Sequence, residues 1–179
     1  MRKYQKEQAQ NFIQLLAEAH EEIRINIEKK YYEPVLVTLA DCQDGAIALG
    51  NLIETAEGEA CVTIPLLEKY CELVFQIHTD ISNGGYVDAI KTDKSLRKAL
   101  TQIENSVSND IKVRKEIAFF PYNASMWDSL ESVYLAAKED PDCDTYCIPI
   151  PFFEKNADGT IGQMHYEGTE YPASIEITD

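Results

Sequence analysis

Apolar residues recur at steps of three and four through most of the first 112 residues, and this periodicity constrains the fold more than any other feature. The spacing predicts four amphipathic helices, at about residues 3–30, 34–57, 63–82 and 95–110. Pro34 and Pro65 suit first turns, Thr63 is a predicted N-cap, and Gly58 suits a helix end. Because each apolar face must be buried against another, we predict a small antiparallel bundle of four helices.

The pattern changes after residue 112. Residues 117–122 form a short apolar run of strand length, residues 125–138 have helical periodicity, and residues 144–153 form a second strand-like run. A strand, a crossover helix and another strand predict a β-α-β unit with a parallel pair. Two strands and one helix cannot cover both faces of a sheet, so we expect either that the final segment packs back on the helices or that this α/β segment is incomplete. The predicted fold is therefore α+β and mainly α, with domains at residues 1–112 and 113–179.

The charge balance and the cysteines bound the function classes. Thirty-one acidic residues against 16 basic ones give a net charge of -15, which opposes binding to nucleic acid or to an anionic membrane surface. No apolar window is long enough for a transmembrane helix, and the N-terminus does not resemble a signal peptide. The five cysteines include no Cys-x-x-Cys pair, so we expect free thiols in a reducing cytoplasm.

Strong catalytic motifs are missing from the sequence. It contains no glycine-rich dinucleotide or phosphate loop, no His-Glu-x-x-His and no Gly-x-Ser-x-Gly. We therefore predict no catalytic residue, no cofactor and no metal ligand. His20 and His78 fall beside acidic or polar positions of the helical region, so we interpret both as surface or rim histidines.

Two segments remain as candidate sites. One is the loop after the first predicted strand, with Asn123, Ser125, Trp127 and Asp128 at a helix N-terminus, where free backbone N–H groups favour a phosphate or carboxylate. The other is a glycine-bounded loop with His165 after the second predicted strand, because ligands gather at the carboxyl ends of parallel strands. The alternative is structural: Asn123 and Ser125 cap the helix, Trp127 packs against the bundle, and His165 only shapes its loop.

Several blocks of the sequence resemble one family. They are Ile117-Ala-Phe-Phe-Pro-Tyr-Asn-Ala-Ser-Met-Trp-Asp-Ser, Ile148-Pro-Ile-Pro and Met164-His-Tyr-Glu-Gly, with Ala40-Asp-Cys-Gln-Asp and Leu67-Glu-Lys-Tyr-Cys-Glu in the helical region. Together they resemble the N-terminal part of bacterial proteins of the CDP-glycerol glycerophosphotransferase family. The resemblance runs along most of the chain, and the Ala-Ser-Met-Trp-Asp-Ser block is its most distinctive part.

The resemblance implies a glycosyltransferase-like enzyme with two Rossmann-type halves, which moves glycerol phosphate from CDP-glycerol to a teichoic-acid-type acceptor. The second half, which would hold the donor, has no counterpart here, so the chain is expected to be inactive alone and no catalytic residue is carried over. Asn123, Ser125, Trp127, Asp128 and His165 would make acceptor-side contacts. The expected location is the cytoplasm, with peripheral association at the inner face of the membrane. The alternative is a non-enzymatic helical module that binds a partner protein.

Overall fold

The computed structural model describes residues 1–178, which form two compact units, Met1–Val113 and the segment from Arg114 onward. Four long helices make the first unit: α1 (Lys3–Glu28), α2 (Tyr32–Glu57), α3 (Ile64–Ser82) and α4 (Ala89–Asn109). Short strands and a short helix make the second unit. The architecture is α+β and mainly α, which confirms the predicted fold class.

The four helices form a closed bundle in which consecutive helices pack together and α4 returns to α1. The N-terminal amino group of Met1 contacts the carboxylate of Glu57, so the start of α1 lies beside the end of α2. Lys6 Nζ donates to the carbonyl oxygens of Ser108 and Ile111, at 2.9 and 2.6 Å, which places the start of α1 beside the end of α4 as well. Buried aliphatic side chains from all four helices fill the centre, each contributing roughly 1.5–3 kcal/mol of burial free energy.

The helix ends follow the local sequence with two exceptions. Gly58 adopts a φ of 86° after α2, as predicted for a helix end. Thr63, however, does not cap α3: its backbone is helical, and its Oγ1 lies 2.9 Å from Ser106 Oγ in a buried bridge to α4. Helix α4 begins several residues before the predicted start because the Asp88 side chain accepts a hydrogen bond from the Lys91 backbone N–H.

A buried polar pair lies inside the bundle and corrects the interpretation of His20. His20 is fully buried, and its Nε2 lies 2.7 Å from the Tyr70 hydroxyl, which belongs to the apolar stripe of α3. Burial lowers the pKa of His20 to about 4, and the nearby Asp93 and Arg97 act in opposite directions on it. Burial also raises the pKa of Tyr70, and it raises the pKa of the neighbouring Cys42 thiol to about 11. The three side chains are therefore neutral at neutral pH.

The second unit contains the predicted β-α-β arrangement. Strands β1 (Lys115–Phe119) and β2 (Cys143–Cys147) pair in parallel, and between them lie a 3-10 helix (Ala124–Ser129) and α5 (Glu131–Glu139). The predicted single helix at 125–138 is thus two helical segments. The predicted strand at 144–153 is also divided, because prolines at 149 and 151 have no N–H to donate. An antiparallel hairpin follows, with β3 (Phe152–Lys155) and β4 (Ile161–His165).

An aromatic cluster forms the core of this second unit. Trp127 packs edge-on against Phe119, Tyr134 and Tyr171, with ring centroids 5.2–6.5 Å apart. On the edge of β2 away from β1, Ile177 forms a parallel bridge with Cys147, and the N–H of Thr178 donates to the Cys147 carbonyl at 2.8 Å. The backbone at Ile177 therefore lies parallel to β2, as a third segment beside the β1–β2 pair.

Candidate functional site

The loop at the carboxyl end of β1 is fixed by backbone pairing on one side and by a local cap on the other. The carbonyls of Phe119 and Pro121 accept from the N–H groups of residues 148 and 150, each at 2.9 Å. Asn123 is extended, and its Oδ1 accepts from the backbone N–H of Ser125 at 2.8 Å and from the Ser125 hydroxyl at 2.6 Å. Asn123 and Ser125 therefore perform the capping role that the sequence analysis gave as the structural alternative.

Trp127 and Asp128 occupy opposite environments although they are adjacent. Trp127 is only 1% exposed, and its indole ring belongs to the aromatic core of its own unit instead of the core of the helical bundle. Its Nε1 has no hydrogen-bond partner among residues 1–178. Asp128 is exposed, as is Ser125. Trp127 consequently supports the loop from beneath, while Ser125 and Asp128 present polar groups to solvent.

The start of the 3-10 helix already holds an anion, which is a carboxylate of the chain itself. Glu167 Oε2 accepts a hydrogen bond from the Ala124 backbone N–H at 2.7 Å. The preference for a negative charge at this position follows from the unpaired N–H groups of a helical start. Any phosphate or carboxylate of a ligand would have to displace Glu167 to reach the same N–H group.

His165 lies at the end of strand β4 rather than in a loop, because Gly162 is part of that strand. Its ring stacks on Phe152, its partner in the hairpin register, with centroids 5.4 Å apart. Its Nε2 lies 3.0 Å from Glu154 Oε1, an ion pair when the imidazole is protonated, although the angle is not that of a hydrogen bond. The ring of Tyr122 packs edge-on against the same Phe152 ring, with centroids 5.6 Å apart. Phe152 thereby joins His165 to the residue that precedes Asn123.

Two residues that the sequence analysis did not single out contact the candidate segments of this unit. Phe152 bridges Tyr122 and His165, and Glu167 fills the helical start. Ser125 and Asp128 are exposed and His165 is half-buried, so their hydroxyl, carboxylate and imidazole groups are each able to hydrogen-bond a ligand. Within residues 1–178, no three His, Cys, Asp or Glu side chains come together as a metal site requires.

Comparison of the chain with protein-family models, with curated proteins and with solved structures finds no match. The resemblance to glycerophosphotransferases therefore stays a prediction. In the part of the chain that the structure describes, no helix combines the length and the apolar character that crossing a membrane requires.

Proposed function

We propose that the chain supplies the helical N-terminal region and the first β-α-β unit of a CDP-glycerol glycerophosphotransferase-like enzyme, and that it is inactive on its own. One observation supports the proposal most: β1 and β2 are parallel, and Ile177 forms a further parallel bridge on the outer edge of β2. Parallel sheets of this kind occur in α/β enzymes in which helices cover both faces, and their ligands bind at the carboxyl ends of the strands.

In this proposal the β1 loop contacts the acceptor, and the donor CDP-glycerol binds to groups outside this chain. Ser125, Asp128 and His165 are the side chains available for those contacts, with Asn123 holding Ser125 in place and Trp127 supporting the loop. A cytoplasmic location, with peripheral association at the inner face of the membrane, belongs to the same proposal.

The test is release of CMP from CDP-glycerol in the presence of a teichoic-acid-type acceptor. The purified chain is assayed alone and together with the polypeptide encoded directly downstream of it. We expect CMP only from the combination, and we expect Asp128→Asn to lower that rate while the exposed Glu170→Gln does not. Release by the chain alone would refute its inactivity, and no release in either case would refute the family assignment.

A second candidate, a non-enzymatic helical interaction module, is favoured by a separate observation. The bundle closes around its own apolar core, yet it exposes large apolar side chains such as Leu15 and Val37 on its outer face. Exposed apolar surface that is grouped rather than scattered is typical of interaction sites. A bundle that does not bind any polypeptide through this face would argue against this candidate.

A further inference from the structure

The outer face of the α1–α2 pair contains two adjoining depressions, with volumes of about 200 and 540 Å³. Leu15, Ala19 and Asp41 line both of them, so the two form one groove. Leu15 is 61% exposed and Val37 is 60% exposed, and both contribute to the groove wall. We call the surface lined by Leu15, Ala19, Val37, Asp41 and Gly45 the α1–α2 groove.

Gly45 keeps one part of this groove open. It lies inside α2, where a glycine is about 1 kcal/mol less favourable than an alanine. A Cβ at this position would lie 3.4 Å from Leu16 Cδ2, which is the close limit of ordinary contact, so an alanine could be accommodated. Gly45, which is less favourable in a helix than alanine, thus lies where the methyl group of an alanine would reduce the space in the groove.

The charged groups of the groove are all acidic. Glu18, Glu22 and Asp41 line it, and no lysine or arginine does. None of the three carboxylates has an ion-pair partner within residues 1–178, whereas Glu21 of the same helix pairs with Arg24. The groove therefore combines an apolar wall with three negative charges that the rest of the bundle leaves unneutralised.

We propose that the α1–α2 groove binds a basic amphipathic helix of a partner protein. The apolar face of such a helix would contact Leu15 and Val37, and its lysine or arginine side chains would pair with Glu18, Glu22 and Asp41. A second copy of this chain fits less well, because both copies carry a net charge of -15. This inference rests on the second candidate function, the interaction module, and is independent of the transferase proposal.

The probe is a fluorescein-labelled peptide of leucine and lysine, about 18 residues long, which spans about 27 Å as an amphipathic helix. Fluorescence anisotropy measures its binding to the full chain, and a peptide of the same composition without amphipathic order is the control. The pair Glu22→Lys and Asp41→Lys is compared with Glu54→Lys and Glu72→Lys, exposed carboxylates outside the groove that give the same change in net charge.

We expect the groove pair to weaken binding by about tenfold and the matched pair by about twofold at physiological salt, where distant charges are screened. Gly45→Ala should also weaken binding by about threefold while stabilising α2, and Gly50→Ala in the same helix should leave binding unchanged. Equal weakening by the two charge pairs would overturn the proposal, because the general negative field would then account for binding. Equal binding of the two peptides, or absence of saturable binding, would overturn it as well.

Discussion

His20 provides the sharpest test of the bundle, because an ionisable side chain is enclosed there with one hydroxyl partner. Its Nε2 lies 2.7 Å from Tyr70 Oη, and Nδ1 has no hydrogen-bond partner among the described residues 1–178. Two charged groups act on its pKa: Asp93 favours the imidazolium, and Arg97 opposes it. Burial outweighs both, and the pKa falls from 6.5 to about 4.

The sign and size of the effect follow from linkage between protonation and folding. The pKa of His20 in the folded state is below the value in the unfolded state. The contribution of His20 to the free energy of unfolding is therefore fully present above pH 6.5 and is lost as the pH falls towards 4. The difference between these pKa values corresponds to about 3 kcal/mol of the free energy of unfolding. Between about pH 8 and pH 5, where the folded imidazole is still mostly neutral, the expected loss is about 2 kcal/mol.

Urea unfolding followed by far-UV circular dichroism measures this loss, since the bundle holds most of the helix. The comparison of wild type with His20→Gln separates His20 from the carboxylates that also titrate in acid. Between pH 8 and pH 5 we expect the free energy of unfolding of His20→Gln to fall by about 2 kcal/mol less than that of the wild type. His78→Gln should show the same fall as the wild type. Parallel curves for wild type and His20→Gln would refute the reasoning, as would an NMR titration of His20 with a pKa near 6.5.

Three further predictions concern contacts outside that pair. Tyr134→Ala should destabilise the second unit by about 3 kcal/mol, read from the fluorescence of Trp127, the single tryptophan; an unchanged midpoint would contradict the packing. Glu167→Gln should lower the stability of the second unit by about 1 kcal/mol in the same assay, because it removes the charge at the start of the 3-10 helix. Glu170→Gln is its control. Ser106→Ala should destabilise the bundle by about 1–3 kcal/mol, because it removes the acceptor of the buried Thr63 hydroxyl and the hydrogen bond from Ser106 to Asp110, while an effect near zero would mean that the Thr63 hydroxyl finds another acceptor.

The helices were predictable because their signal is local. An apolar stripe with a period near 3.6 residues requires burial on one side whatever the rest of the chain does, and Gly58 marks its own helix end through its backbone freedom. The β-α-β unit was predictable for the same reason, as apolar runs of strand length alternate with a helical pattern. The start of α4 was missed because the cap of Asp88 lies outside the apolar stripe.

The parts that the sequence analysis missed depend on contacts between distant residues. His20 meets Tyr70 50 positions away, and Glu167 meets the N–H of Ala124 43 positions away. No local pattern indicates either pair. The loop residues of the candidate site could be found from their position after β1. Which of the adjacent Trp127 and Asp128 is buried depends on the packing of Tyr171, which lies far along the chain.

The most direct test of the proposed function is the DNA sequence that follows the codon for Asp179. If the chain supplies the first part of a glycerophosphotransferase-like enzyme, that DNA encodes further alternating strands and helices, in the same or a shifted reading frame. These would extend the parallel arrangement that Ile177 begins beside β2. A stop codon followed by no such pattern in any of the three frames would contradict the proposal.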